Sequence, residues 1–462
     1  MILKRLKADV LAHNSYFIGS EGEAVVIDPR REAGDVEEIL GLARESCAQV
    51  KHILETHRNE DFVHGSKEIA ERTGATIGHG GRTPFKYGEP LRDGDEVAFG
   101  GMSIRAVETP GHTSESLTYV LYDGGHPGVA LAAFTGDALF VSSTGRIDLP
   151  GTDQKTENAR KLYESLHERI LPLGDHVLLC PAHGAGSVCG AGMGDRDWST
   201  IGYEKRTNPH LQLGKDEFVE HKANELFVRP PYFLTMEKYN LDGPPSLAQR
   251  ASPAPMRLHA FKETLETGES ALIDTRLQQA FGGGHIPGSY NIWLKGTALF
   301  PGWLFAPGQK LLLLADRDED ALAADRYLCR IGYDDIAGYL CGGFEAWQNA
   351  GLPIGHTGEI SVDALKLMLD RGDIALVDVR EPREWAGGTV KGAIRIYVGD
   401  LKDHIRDLPS NKPVATMCSV GHRGSLGASI LQRSGIVSVY NVLGGMAAWK
   451  GRKYPLVRPG EP

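Results

Sequence analysis

The 462-residue chain reads as an α/β protein of three domains in series. Three observations predict this. Short apolar runs ending at polar or turn-forming residues alternate with helical periodicity through the first half. A block with the same strand–helix alternation occurs twice in the second half, at a spacing of about 100 residues. Pro-rich stretches separate the halves. Length points the same way, since single cores stop growing near about 250–300 residues.

The N-terminal segment MILKRLKADVLAHNSYFIG has basic residues but neither a long apolar core nor a small-residue cleavage site. It is expected to form a first strand, not a signal peptide. Ala24–Asp28, Val50–Leu54 and Val177–Cys180 read as strands, and 35–44 and 66–72 carry helical periodicity. Leu241-Asp-Gly-Pro-Pro245 and Ser252-Pro-Ala-Pro255 form the linker region. Beyond it, Ala271-Leu-Ile-Asp274-Thr-Arg276 returns as Ala375-Leu-Val-Asp378-Val-Arg380. Gly284-His-Ile-Pro-Gly288 returns, more loosely, as Gly388-Thr-Val-Lys-Gly392, and Gly342-Gly-Phe-Glu-Ala-Trp347 as Gly444-Gly-Met-Ala-Ala-Trp449. Each unit implies a small parallel-sheet α/β domain. The expected domains are 1–245, 256–356 and 358–462.

Composition narrows the function. Hydrophobic residues make up 41% and charged residues 24%, the balance of a globular protein in water. A net charge of −10 gives no support to nucleic-acid or anionic-membrane partners. No apolar run reaches the roughly 18–20 residues of a membrane span. Six cysteines are too few for a disulfide scaffold at this length, so a reducing cytoplasm is expected, with any important cysteine acting as a thiol.

Three segments bring candidate metal ligands together, each where a strand-like run gives way to a loop. They are Thr56-His57-Arg58-Asn59-Glu60-Asp61-Phe62, Thr109-Pro-Gly-His112-Thr-Ser114 and Phe134-Thr-Gly-Asp137-Ala138. In this order they resemble the metallo-β-lactamase fold over about residues 1–240, including Asp28 after an early strand. The resemblance implies an αββα sandwich. The family's usual loop is T-H-x-H-x-D-H; here Asn59 and Phe62 stand where two of its histidines would be. Phenylalanine cannot ligate, so the dinuclear zinc site of the hydrolytic members is not expected. His57, His112 and Asp137 remain, and two histidines with one carboxylate suit a single non-haem Fe(II) with open positions. Asp61, Asn59 and His183, in Pro181-Ala-His-Gly184, are then expected to orient ligands or hold water, with plain loop hydrogen bonding as the other reading. His52 and His64 are taken as structural.

Thr144-Gly-Arg-Ile-Asp148 and Ser199-Thr-Ile-Gly-Tyr-Glu-Lys-Arg-Thr-Asn-Pro209 narrow the resemblance to the persulfide dioxygenases. That family implies one Fe(II) per chain and oxidation of a low-molecular-weight thiol persulfide by O2 to sulfite and thiol. The carrier could be glutathione, coenzyme A or bacillithiol. Arg146 is a candidate for a substrate carboxylate or phosphate, and a structural salt bridge is its equal alternative. A zinc thioesterase resembling glyoxalase II is the competing enzyme, and a non-catalytic scaffold domain is a third reading.

In the second repeat, Cys418-Ser-Val-Gly421-His422-Arg423-Gly424 follows the strand-like Pro413–Met417 and precedes a helix expected near Ser425. Backbone N–H groups and a helix N-terminus lower the pKa of a thiol at such a turn and stabilise an anionic persulfide. The spacing C-x-x-G-x-R resembles the active loop of rhodaneses, and the two repeats together resemble a tandem rhodanese pair. Cys418 is the expected sulfur carrier, Arg423 a partner for an anionic acceptor, and Gly421 and His422 substrate-binding candidates in the loop; His422 tunes it or, equally, is solvent-facing filler. The first repeat sets Asp316 at the cysteine position and looks inactive; Cys329 and Cys341 read as core thiols. The two resemblances together imply a dioxygenase joined to a sulfurtransferase that exchanges sulfur with thiosulfate or sulfite in sulfide detoxification. The relatives commonly pair, so a homo-oligomer is expected.

Overall fold

The computed structural model describes residues 1–149 and 151–458; the last four residues of the expected 358–462 domain lie outside the described residues. The chain forms two compact units, Met1–Phe227 with Phe233–Gln249, and Val228–Tyr232 with the chain from Arg250 onward.

The first unit contains two six-stranded sheets. One orders β1 (Ile2–Lys7), β2 (Asn14–Ser20), β3 (Glu23–Ile27), β4 (Gln49–Leu54), β5 (Thr76–Gly80) and β6 (Glu89–Leu91). The expected first strand is in fact two, because Val10 and Ala12 take positive φ and turn the chain between them. β2 and β3 are joined by Glu21-Gly22, both at positive φ, as a two-residue hairpin turn requires. β3 to β6 run parallel. In between lie α1 (Ala33–Glu45) and α2 (Ser66–Thr73), close to the helices read from periodicity.

The other sheet contains β7 (Glu96–Phe99), β8 (Met102–Glu108), β9 (Leu117–Asp123) and β10 (Ala130–Gly136). After the short hairpin β11 (Leu139–Phe140) and β12 (Ser143–Thr144), the chain returns through α3 (Lys155–Glu164) to β13 (Leu178–Pro181) and β14 (Ser199–Thr200), which extend the sheet beyond β10.

Strand alternation explains the layering. Tyr16, Ile18, Val25 and Ile27 meet Ile104, Leu117, Tyr119 and Phe134 in a core between the sheets. Their neighbours Phe17 and Val26 point the other way, onto Val36, Ile39 and Ile69 of α1 and α2. On the outer face of the second sheet, Val120 and Ala133 pack against Leu162, Leu166 and Phe218. Both faces of each sheet are therefore covered, as continuous apolar runs such as Ala24–Ile27 demand. The result is the predicted αββα sandwich.

The second unit holds two five-stranded parallel sheets of one topology. The first orders β15 (Pro255–Met256), β19 (Ile336–Leu340), β18 (Leu311–Leu314), β16 (Ala271–Asp274) and β17 (Tyr290–Asn291). The second orders β20 (Gly358–Ile360), β24 (Val439–Val442), β23 (Val414–Met417), β21 (Ala375–Asp378) and β22 (Ile394–Arg395). The repeat seen in sequence is thus a repeat in topology. Each copy buries an Asp–Arg pair, Asp274 with Arg276 and Asp378 with Arg380, both at 2.6 Å. Each also buries a tryptophan whose indole N–H donates to a proline carbonyl, Trp347 to Pro353 at 2.8 Å and Trp449 to Pro455 at 3.0 Å.

Trp449 is 1% exposed in the core with Leu365, Leu376 and Val442. Trp449→Ala should cost about 3–5 kcal/mol through the cavity it leaves. Trp449→Phe, which leaves mainly the Pro455 carbonyl unmet, should cost about 1–3 kcal/mol. Urea unfolding of the three proteins measures both.

Candidate metal centre and sulfur-transfer loop

His57 stands three residues past the end of β4, and a chain of hydrogen bonds sets its chemistry. Asp28 directly follows β3, in the left-handed region at φ 47°. Its Oδ1 accepts from the Thr56 N–H at 2.8 Å and its Oδ2 from the Thr56 hydroxyl at 2.7 Å. A hydroxyl has one proton. With that proton given to Asp28, Thr56 Oγ1 accepts from His57 Nδ1–H at 2.9 Å. His57 is thereby held with its proton on Nδ1 and the lone pair of Nε2 free. Burial pushes the Asp28 carboxyl up to about 6, so it is ionised, and accepting, at neutral pH.

His112 lies in the loop between β8 and β9 and meets the same condition by another route. Its Nδ1–H donates to the Arg146 carbonyl at 2.8 Å, leaving Nε2 free. Asp137 directly follows β10; its Oδ1 accepts from His183 Nδ1 at 2.7 Å. Its Oδ2 faces His112 Nε2 at 3.5 Å and His57 Nε2 at 3.8 Å. Donor atoms 2.0–2.2 Å from one ion lie roughly 3–3.5 Å apart. His57 Nε2, His112 Nε2 and Asp137 Oδ2 are all buried without a hydrogen-bond partner. Three orphaned lone pairs converging within 4.8 Å are the donor set of a cation site, and the residues fit one. Burial disfavours charge on His112, but Glu60 and Asp137 outweigh it and hold the ring's pKa up at about 9. Surroundings negative enough to hold that proton also favour a divalent cation in its place.

The other residues of the loop fall on two sides. Asn59 turns away from the convergence point, its Nδ2 lying 3.2 Å from His64 Nε2 and 3.4 Å from the His57 carbonyl. Phe62 is fully buried, its ring 4.0 Å from that of His13. Asp61 faces His183, with Oδ2 and Nε2 at 3.1 Å. His64 is buried and packs against Phe62, and half-buried His52 bonds Thr76 at 2.7 Å. Arg146 is fully buried and forms a bidentate pair with Asp148, both bonds 2.7 Å. Of its two readings the structure shows the salt bridge: the charge proposed for a substrate anion is already matched by Asp148.

Two residues near the site carried no expectation. Glu60 Oε1 lies 3.4 Å from His112 Nε2 and 3.5 Å from Cys189 Sγ, and Cys189 is fully buried. Glu60 sits inside the loop motif, so its carboxylate is a signal the sequence carries. Cys189 lies in a Gly-rich loop with no motif position, and only the fold brings it here.

In the second unit, Cys418 directly follows β23, and its Sγ accepts from the Gly421 N–H at 3.1 Å. Gly421 has φ +117°, a conformation side chains resist, and it caps a helix that begins at His422, three residues before the expected start. The His422 ring stacks on Trp293 of the first repeat at 5.0 Å. Arg423 is gripped by Glu384 through bonds of 2.6 and 2.9 Å and bonds Ser419 at 2.9 Å. Although burial opposes it, that grip holds Glu384 down at about 2. The arginine expected to meet an anionic acceptor thus braces the loop against Glu384. The Gly421 N–H and the helix start remain as anion-stabilising groups.

Strand register corrects the reading of the first repeat. Asp274 pairs with Leu314 as Asp378 pairs with Met417, so Ala315, not Asp316, corresponds to Cys418. The helix after β18 begins at Asp318, leaving three loop residues where the second repeat has four. That missing residue is why the sequence comparison slipped by one. Cys329 is buried and Cys341 half-buried.

Asp28→Asn should keep the fold but allow an amide N–H to donate to Thr56, so that Thr56 no longer has to accept from His57. Metal affinity should fall about 10–100-fold, read by competition with a chelator.

A metallo-β-lactamase superfamily model matches residues 8–183, and a rhodanese-like domain model matches 258–350 and 361–452. Bovine persulfide dioxygenase ETHE1, a mitochondrial protein, is 30% identical over 250 residues, 53% of this chain and 83% of its own length. The human protein of that name is 29% identical over 233 residues, 50% of this chain and 84% of its own. A crystal structure of a metallo-β-lactamase from Staphylococcus aureus superposes with a TM-score of 0.65 at 31% identity, covering 74% of this chain and 98% of the other. Among the described residues no helix is long and apolar enough to cross a membrane. The chain belongs to the metallo-β-lactamase superfamily as a fusion of an ETHE1-like domain to two rhodanese-like domains.

Proposed function

We propose that the chain is a non-haem iron persulfide dioxygenase coupled to a sulfurtransferase. The observation that carries this is the convergence of three orphaned donors, His57 Nε2, His112 Nε2 and Asp137 Oδ2, on one buried point. Fe(II) held there would supply O2 activation beside a sulfane sulfur. The overall change balances as RSSH + O2 + H2O giving RSH and H2SO3. The protein's own part is positional. Asp28 and the Arg146 carbonyl hold the two imidazoles in their ligating tautomers, and His183 orients the Asp137 carboxylate.

Cys418 supplies the second chemistry. Its thiolate attacks the outer sulfur of RSSH and the RS–S bond breaks; the proton of that sulfur goes with the leaving thiolate, so RSH departs and Cys418-S-S⁻ forms, whose charge the Gly421 N–H stabilises. Sulfite then attacks the terminal sulfur, thiosulfate leaves and the thiolate returns; the steps also run in reverse. The substrate is a low-molecular-weight thiol persulfide of the glutathione, coenzyme A or bacillithiol type. The free cysteines favour a reducing compartment such as the cytoplasm.

Iron-loaded protein given glutathione persulfide should consume O2. His57→Ala or Asp137→Ala should reduce that uptake by more than about 100-fold, through loss of the ion. Cys418→Ser should leave uptake within about twofold while the product shifts from thiosulfate to sulfite. Zinc content with hydrolysis of S-acyl thiols and no O2 uptake would make the first domain a thioesterase instead.

A further inference from the structure

We propose that His210, His221 and Glu225 form a surface site for a zinc-type divalent cation, fastened to the segment that leads into the first metal centre. The site depends neither on persulfide chemistry nor on which ion the first centre holds. Two segments marked out by sequence and unused by the mechanism meet here. His210 directly follows Ser199–Pro209, and its ring reaches back to Thr144, the first residue of Thr144–Asp148. His221 and Glu225 come from the helix Lys215–Asn224 and its C-cap, four positions apart and so neighbours along the helix. One ligand atom from each of the three lies within 4.8 Å of the others.

The three side chains suit a cation. Burial, with the charges of Lys222 and His221, pushes the His210 ring down to about 3, so at neutral pH it is uncharged and carries a lone pair. Its Nδ1 lies 2.8 Å from the Thr144 hydroxyl, which leaves Nε2 open to an ion. The two imidazoles lie 5.0 Å apart and are tilted at 60°, not stacked. His221 is half exposed, and its Nε2 stands 3.7 Å from Glu225 Oε1. That is beyond hydrogen-bond reach and close to the roughly 3–3.5 Å between two donors sharing one ion. Glu225 divides its oxygens. Oε2 pairs with the buried Lys222 ammonium at 2.5 Å, so that charge is already matched, and Oε1 is left for the ion. Two imidazoles and a carboxylate with an open position favour zinc-type ions, whereas magnesium and calcium take oxygen ligands.

Glu217 and Glu220 line the same cleft of about 520 Å³ as His221 and Glu225, and among its described lining residues none is lysine or arginine. The cleft therefore attracts a cation and gives it water for its remaining position. An ion here ties the helix to the turn that carries His210, and both already hold Thr144. His210 meets its hydroxyl, and the Lys222 ammonium donates to its carbonyl at 3.4 Å. Two residues on, the Arg146 carbonyl accepts from His112 Nδ1. The site thus braces the segment that sets the tautomer of a first-centre ligand. Binding displaces water from the ion and breaks no covalent bond.

Iron-loaded full-length protein titrated with Zn(II) against a chromophoric chelator provides the test. At the same free zinc, wild type should bind one zinc more than His221→Ala, with iron content unchanged. Loss of a ligand costs at least the about 10–100-fold that loss of an orienting partner does. His210→Gln should lose the same zinc although its amide can still bond Thr144, which keeps the test sound if His221→Ala folds poorly. Adding His221→Ala to His57→Ala should again remove one zinc, since the first centre takes no part. Zinc should also slow amide hydrogen exchange across 143–148 in wild type and not in His221→Ala. Equal zinc uptake by wild type, His221→Ala and His210→Gln would overturn the proposal. So would exchange across 143–148 that zinc leaves unchanged. None of these measurements reads O2 uptake, so failure of the dioxygenase reading shows separately.

Discussion

One carboxylate in an unfavourable backbone conformation governs the first unit. Asp28 sits at φ 47°, a conformation that costs a non-glycine residue of order 1–3 kcal/mol. Its backbone N–H continues the β3–β4 ladder to Leu54 at 3.0 Å while its side chain crosses to Thr56. The strain places both carboxylate oxygens on the next strand's end. From there a single hydroxyl proton decides which nitrogen of His57 can ligate. The sandwich contributes rigidity, but Asp28 is what leaves the Nε2 of this buried histidine free.

Much of the fold was legible because it rests on periodicity and repetition. Strands covered on both faces read as apolar runs, and the duplicated Asp–Arg and Gly–Gly–x–x–x–Trp marks gave the second unit its topology. The convergence of His57, His112 and Asp137 was legible because each follows a strand within a recognisable pattern. What escaped depended on the partner a side chain meets. The guanidinium of Arg423 could not be assigned without Glu384, 39 positions away, and Arg146 had two readings until burial chose Asp148. Cys189 is brought beside Glu60 from 129 positions along the chain, a distance at which no spacing rule operates. The slip between Ala315 and Asp316 has another cause: a loop one residue shorter offers no mark of where it was shortened.

The two repeats show how little separates a loop that cradles a thiol from one that does not. Sheet order, buried ion pair and tryptophan anchor are the same in both. At the end of the central strand, one copy has a thiol and a four-residue turn closed by glycine at φ +117°; the other has an alanine and three residues. The backbone N–H that cradles Cys418 depends on that extra residue, so restoring a cysteine at 315 alone would not rebuild the cradle.

Trp293 lies flat against His422, across the boundary between the copies. Around them Asn291 of the first copy bonds Ser425 and Ser429 of the second, at 2.6 and 3.1 Å, and a cavity of about 430 Å³ opens among Arg276, Trp293, Lys295, Asp316 and His422. The first repeat therefore supplies most of that cavity's wall, and His422 from the loop of the second repeat completes it. Natural variation at positions 293 and 422 should be correlated across descendants of this chain. Loss of the middle repeat would take from its neighbour the ring that stacks on His422 and the residue that meets Ser425 and Ser429, whatever the middle repeat does on its own.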